Sequence, residues 1–247
     1  MLVIPAIDLI DGKCVRLLKG DFEEQITYGE DPARQASRFE AAGFQRLHVI
    51  DLEGAKSGKG ENRKAIEKIV KSISLPVQVG GGIRQQDDVQ ELFDIGVSYL
   101  ILGTIAVEEP EEVDRWVENW GGERFLVSLD LQAGRLRTRG WLSESPVDLD
   151  VMIGRIQGWK IEAVICTDIE RDGTMKRPNY ATYQDLLARL PATIALFAAG
   201  GVSEPKHVLE LQEIGVQGAI VGRALYEGKF DWGALLEVPF KKSHKRG

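Results

Sequence analysis

Cysteine is nearly missing from this chain of 247 residues: only Cys14 and Cys166 occur. Two thiols so far apart supply neither a disulfide framework nor a four-ligand metal site, and the chain reads as reduced and intracellular. Histidine is just as scarce, and His48, His207 and His244 stand isolated from one another. His48 falls within an apolar run, where a hydrogen-bonded core or rim position is expected; the other two are expected on the surface. Excess positive charge is lacking too. Thirty-one Lys and Arg against 38 Asp and Glu leave a net charge of −7, the wrong sign for holding nucleic acid or an anionic membrane. No apolar run approaches the roughly 18 to 20 residues of a membrane span, and MLVIPAID carries no basic leader ahead of it. The expectation is a cytoplasmic protein acting on a small molecule. No exposed heptad or long apolar edge asks for a partner, so a monomer is expected. The basic tail KKSHKR (241–246) reads as a solvated terminus.

What the chain does have is alternation. Apolar runs at 2–9, 46–52, 76–79, 99–103, 124–130, 162–168, 193–199 and 218–222 are separated by charged segments of helical period. Runs apolar on both faces are the mark of parallel strands buried between other elements. Helix signals lie between them: Asp31-Pro32 opens a helix closing near Gly43, Gln85 to Ile95 stops at Gly96, and Ser203-Glu204-Pro205 opens one that stops at Gly215. Eight such strands without a linker or composition break predict an α/β chain folded as a single (β/α)8 TIM barrel, one domain over residues 1–247. The chain also echoes itself at half its length. DLIDGK (8–13) resembles DLQAGR (130–135), Asp51 matches Asp168, GGI (81–83) matches GGV (200–202), and Gly103 matches Gly222. The echoes keep their order, which predicts two homologous half-barrels, about residues 1–120 and 121–240.

In a barrel the chemistry belongs at the carboxyl ends of the strands. Glycines collect there, at Gly81, Gly82 and Gly103-Thr104 in the first half and at Gly200, Gly201 and Gly222-Arg223 in the second. A glycine where a strand passes into a helix lets backbone N–H groups close on an anion. One such cluster could be only a tight turn. Two on opposite sides of one mouth imply an elongated ligand with a phosphate at each end. Aspartates collect there as well: Asp8, Asp51, Asp130, Asp168 and Asp172. Asp8 and Asp130 follow strands one and five, which face each other, and suit paired proton transfer. Helix capping, or pairing with an arginine such as Arg16, is the expected role of Asp51 and Asp168. A metal site is disfavoured because no histidine accompanies these carboxylates. Arg139 and Trp141, in LRTRGW, offer a guanidinium and an aromatic plane that could stack on a heterocycle or anchor a packed loop.

IPAIDLIDGKCVRLLKGD, LHVIDLEGAKSG, GGGIR, GTIAV, SLDLQAGRLRTRGW, TDIERDGT, AAGGV and GAIVGRALYEG resemble, in order and along nearly the whole chain, the histidine-biosynthetic isomerases of phosphoribosylformimino-5-aminoimidazole carboxamide ribotide (ProFAR). The resemblance implies a two-half barrel and a cofactor-free Amadori rearrangement of an aminoaldose to an aminoketose on a substrate bearing two phosphates. It gives Asp8 the role of proton acceptor and Asp130 that of proton donor, with Asp172 the reserve for the donor. Arg16, Thr167 and Asp172 match substrate-contacting positions, and the two glycine groups, with Thr104 and Arg223, match the phosphate sites. The sister cyclase typically has CLD where this chain has AID, and lysine at Arg16. LRTRGW also resembles the loop of bifunctional relatives that accept phosphoribosylanthranilate, and a non-catalytic phosphosugar-binding barrel is the alternative of another class. Ala199 stands where the family usually has serine, removing a hydroxyl from one phosphate site.

Overall fold

The computed structural model describes residues 1–228; the tail 241–246, with His244, lies outside the described residues. Eight parallel strands close into a ring: β1 (Leu2–Ile10), β2 (Leu47–Asp51), β3 (Val77–Gly80), β4 (Tyr99–Leu102), β5 (Phe125–Gln132), β6 (Ala163–Asp168), β7 (Ala195–Ala199) and β8 (Gly218–Val221). Each pairs with its sequence neighbours, and β8 returns to β1 with Leu2 opposite Gly218. All eight lie within two residues of the expected runs. The helices are α1 (Pro32–Ala41), α2 (Leu52–Ser57), α3 (Arg63–Ser72), α4 (Gln86–Asp94), α5 (Thr104–Glu108), α6 (Pro110–Trp120), α7 (Leu149–Gly158), α8 (Tyr180–Arg189), α9 (Pro205–Glu213) and α10 (Arg223–Tyr226). The expected end signals hold: Asp31 accepts from the backbone N–H of Arg34 at 3.2 Å, and Gly96 and Gly215 end their helices at φ of 98° and 100°. The fold is the (β/α)8 barrel that the alternation predicts.

Strand side chains divide by parity into two cores. Val3, Ile7, Leu9, Val127, Leu129 and Val164 point outward and pack with helical residues such as Trp116 and Tyr183. Ile4, Ala6, Leu126, Ile165, Phe197 and Ile220 fill the inside of the ring. Both faces are therefore dry, which is why these strands read as unbroken apolar runs.

Two antiparallel excursions decorate the carboxyl-terminal mouth, and the apolar runs carry no sign of them. After β1 the chain doubles back as Lys13–Leu18 and again as Asp21–Gly29; after β5 it doubles back as Arg135–Thr138, which pairs with Ser143–Glu144. Both first turns have two consecutive positive φ values, 50° and 68° at Asp11-Gly12 and 51° and 78° at Ala133-Gly134. That is the two-residue turn whose twist matches paired strands.

Candidate active site

Register decides which strand-end aspartates can act on a ligand. On β1, Asp8 shares parity with Ile4 and Ala6 and faces the bore; on β5, Asp130 follows Leu126 and Ser128 to the same side. Asp51 and Asp168 have the opposite parity and point away from the bore. The Asp51 carboxylate accepts from the backbone N–H of Gly54 (2.8 Å), Glu61 (2.8 Å) and Asn62 (3.0 Å), and from the Asn62 side-chain amide (2.7 Å). Asp168 accepts from the Asn179 amide at 2.9 Å. Asp51 thus caps α2 as expected, both aspartates pin the segment after their strand, and Arg16 pairs with neither.

A cavity of about 220 Å³ opens at this mouth. All fifteen residues expected to act in catalysis or in substrate and phosphate binding line it: Asp8, Arg16, Gly81, Gly82, Gly103, Thr104, Asp130, Arg139, Trp141, Thr167, Asp172, Gly200, Gly201, Gly222 and Arg223. Asp8 is buried and held by the Arg16 guanidinium. Burial pushes the Asp8 carboxyl up, while the charge and hydrogen bond of Arg16 pull it back. That guanidinium lies against Gly222, where a Cβ would collide with it. Among the described residues, no cation pairs with Asp130. Its carboxylate accepts from the Trp141 indole N–H at 2.9 Å and the Ser128 hydroxyl at 2.8 Å, and Thr167 sits opposite it across the strand pair. Burial raises Asp130 above the ordinary carboxylate range against these donors. Asp172 reaches in from the loop after β6. Burial pushes its carboxyl up to about 6, with Arg16 opposing and Asp8 and Asp130 adding to the rise. Its loop is tied to the β1 excursion by Lys19 N–H, which donates to the Asp172 carbonyl at 3.3 Å.

The two glycine groups are nearly superimposable in conformation. Gly81 and Gly200 have φ of 97° and 96°, Gly82 and Gly201 71° and 80°. Gly103 and Gly222 have φ, ψ of −106°, −100° and −105°, −101°, each directly ahead of a short helix. A Cβ at Gly82 would sit 2.6 Å from the Lys59 carbonyl, and one at Gly201 2.6 Å from that of Lys176. Close backbone approach demands glycine in both places. The flanking side chains differ. Thr104 accepts from the backbone N–H of Arg139 at 2.9 Å, whereas Arg223 pairs with Glu227 and donates to the Gly173 carbonyl at 3.0 Å. Arg139 turns to Glu108, with its Nε 2.8 Å from Oε1. The Trp141 ring packs on Gly20, so the excursions of the two halves meet over the cavity.

Among the lining residues that the sequence motifs do not place at the site are Ser128, Lys56 and Arg84, together with His48, expected only at a core or rim position. Ser128 was visible as a hydroxyl two positions before Asp130 on one strand, hence on the same face. His48 is hydrogen-bonded in the interior as expected, its Nδ1 2.8 Å from the Gln78 amide nitrogen. The surface expectation for His207 is wrong: it is buried, its Nδ1 accepts from the Ser203 backbone N–H at 3.3 Å, and its Nε2 faces Glu204 at 3.2 Å. The Ser203-to-Pro205 helix start folds back over the imidazole and removes it from water.

A closed parallel barrel with carboxylates from facing strands converging on one mouth cavity defines a barrel enzyme equipped for proton transfer. The chain belongs to the family of histidine biosynthesis proteins, whose model matches residues 2–231. Among curated proteins it is similar to the 1-(5-phosphoribosyl)-5-((5-phosphoribosylamino)methylideneamino) imidazole-4-carboxamide isomerase of Synechocystis sp., 44% identical over 92% of this chain and 89% of that one. The proteins of the same name from Herpetosiphon aurantiacus (41% identical, 96% of this chain and 98% of that one) and Gloeothece citriformis (44%, 96% and 93%) are equally similar in extent. Among the described residues, no helix is long and apolar enough to cross a membrane.

Proposed function

We propose that this chain catalyses the isomerisation for which its relatives are named, converting ProFAR to its phosphoribulosyl isomer in histidine biosynthesis by acid–base catalysis. The observation that carries this reading is the opposed pair Asp8 and Asp130 on facing strands, flanked by glycine groups of equal conformation. One glycine group, with Thr104, takes one substrate phosphate through backbone N–H groups, and the other, with Arg223, takes the second. The pentose is thereby stretched between the carboxyls. Asp130, whose carboxyl burial raises, gives its proton to the furanose ring oxygen. The ring opens to a protonated Schiff base, which acidifies the proton on C2′. Asp8, paired with the Arg16 guanidinium, removes that proton, and the resulting enolamine ketonises by gaining a proton at C1′ and losing one from the C2′ oxygen.

The same reading makes the chain two homologous half-barrels and a cytoplasmic monomer needing no metal or cofactor; the paired glycine conformations support the first, and the two free, buried cysteines fit the second. Purified protein offered ProFAR in chelator-treated buffer is expected to turn it over, and to leave phosphoribosylanthranilate unchanged. Failure on the first compound would end the reading.

A further inference from the structure

Inside the ring, beneath the carboxylates, runs a chain of polar contacts that the acid–base pair does not use. Arg46, the residue before β2, approaches the Oε1 of Gln78 through Nη1 at 3.5 Å, and the Nε2 of Gln78 lies 2.8 Å from Nδ1 of His48. Gln78 and His48 are buried, and they sit opposite each other in the β2–β3 register. His48 in turn lines the cavity, and its neighbour on the other side is Ala6, two residues before Asp8 on β1. The direction of each contact follows from chemistry. A guanidinium has only N–H groups, so the amide atom facing Arg46 is the oxygen. The amide atom facing His48 is then the NH₂, a donor, and Nδ1 must accept. A neutral imidazole whose Nδ1 is bare carries its proton on Nε2.

Resting on the isomerase reading, we propose that His48 is a further catalytic residue: its Nε2–H is a fixed, uncharged hydrogen-bond donor to an oxygen of the reacting pentose, and Gln78, oriented by Arg46, is the positioning residue that holds this tautomer. Burial, with the nearby Arg16 charge, pushes the His48 imidazolium down to about 3, so the ring stays neutral throughout the working range of an enzyme. A neutral donor suits this place. An imidazolium there would add a second cation beside Arg16 and weaken the base. A neutral N–H stabilises charge gathering on a sugar oxygen while leaving Asp8 basic.

The chain has three histidines, so their ring nitrogens can be told apart by nitrogen NMR of the full-length protein. His48 is expected to show a protonated Nε2 and a bare Nδ1, unchanged between pH 5.5 and 8. This arm needs no turnover, so it stands or falls separately from the isomerase reading. His48→Phe is expected to lower kcat on ProFAR about 10- to 100-fold with KM nearly unchanged, as loss of one donor at a developing charge requires. His48→Gln, which keeps an N–H reaching the same way, is expected to recover most of that loss. Gln78→Leu is expected to bring up the Nδ1-protonated tautomer in the spectrum and to lower kcat together with it. An Nδ1-protonated or doubly protonated ring in the unaltered protein overturns the proposal. So does a folded His48→Phe with undiminished kcat; should that variant not fold, the Gln78→Leu spectrum and rate decide, and a rate unmoved by the tautomer change is equally fatal.

Discussion

The half of the ring from β1 to β4 and the half from β5 to β8 share their backbone and differ in their charges. Gly81 and Gly200 match within a degree in φ, and the excursions after β1 and β5 begin with the same turn. Against that common frame, Asp8 has Arg16 on it, whereas Asp130 has an indole and a hydroxyl. The loop after β6 brings Asp172 to the cavity; the aligned position after β2, 117 residues earlier (172 − 117 = 55), is Ala55. Backbone geometry suited to anions is therefore common to both halves, and on the proposed mechanism proton chemistry is divided between them. An ion-paired carboxyl is poised to accept a proton. One surrounded by neutral donors keeps its proton more readily.

Experiments can break that division. The largest effect is expected from Asp8→Asn and Asp130→Asn, each lowering kcat by about 10³-fold or more while product still binds. Rate and product titration on each variant test this, and an unimpaired variant removes its residue from the mechanism. Next come the outward carboxylates. Asp51→Ala orphans four donors in a dry setting and is expected to cost about 3 kcal/mol in urea unfolding. Asp168→Ala, which leaves fewer partners behind, is expected to cost about half as much, and equal losses would show that the halves are stapled alike. The smallest and sharpest change is Trp141→Phe. The indole N–H favours the ionised form of Asp130, so removing it raises that pKa. If Asp130 is the acid, the alkaline limb of the kcat–pH profile moves to higher pH by about one unit, with kcat at its plateau falling no more than about 10-fold. If Asp172 is the acid, the limb lies near 6 and stays there.

The fold was legible because strands dry on both faces write themselves as unbroken apolar runs. That same dryness hid the parity of the aspartates. In LVIPAIDL and RLHVIDL nothing distinguishes the inner face from the outer, so the inward turn of Asp8 and the outward turn of Asp51 emerge only from the closed ring. The excursions escaped for the opposite reason. DFEEQITYG is polar and largely exposed, and it pairs outside the barrel, so it offers no apolar signal. Within the cavity, glycines and aspartates announce themselves by type and place. His48 does not, because its meaning depends on Gln78, thirty residues away and adjacent only through strand register.

The bond from Lys19 N–H to the Asp172 carbonyl, together with Trp141 resting on Gly20, has a consequence for timing. An opened sugar imine is open to hydrolysis by bulk water. Because the strand-one excursion holds both the Asp172 loop and the indole bonded to Asp130, disorder in that single excursion would loosen the surroundings of both carboxyls and unroof the cavity together. On the proposed mechanism, exposure and activation are then mutually exclusive, because the contacts that roof the cavity are those that arrange Asp130 and Asp172.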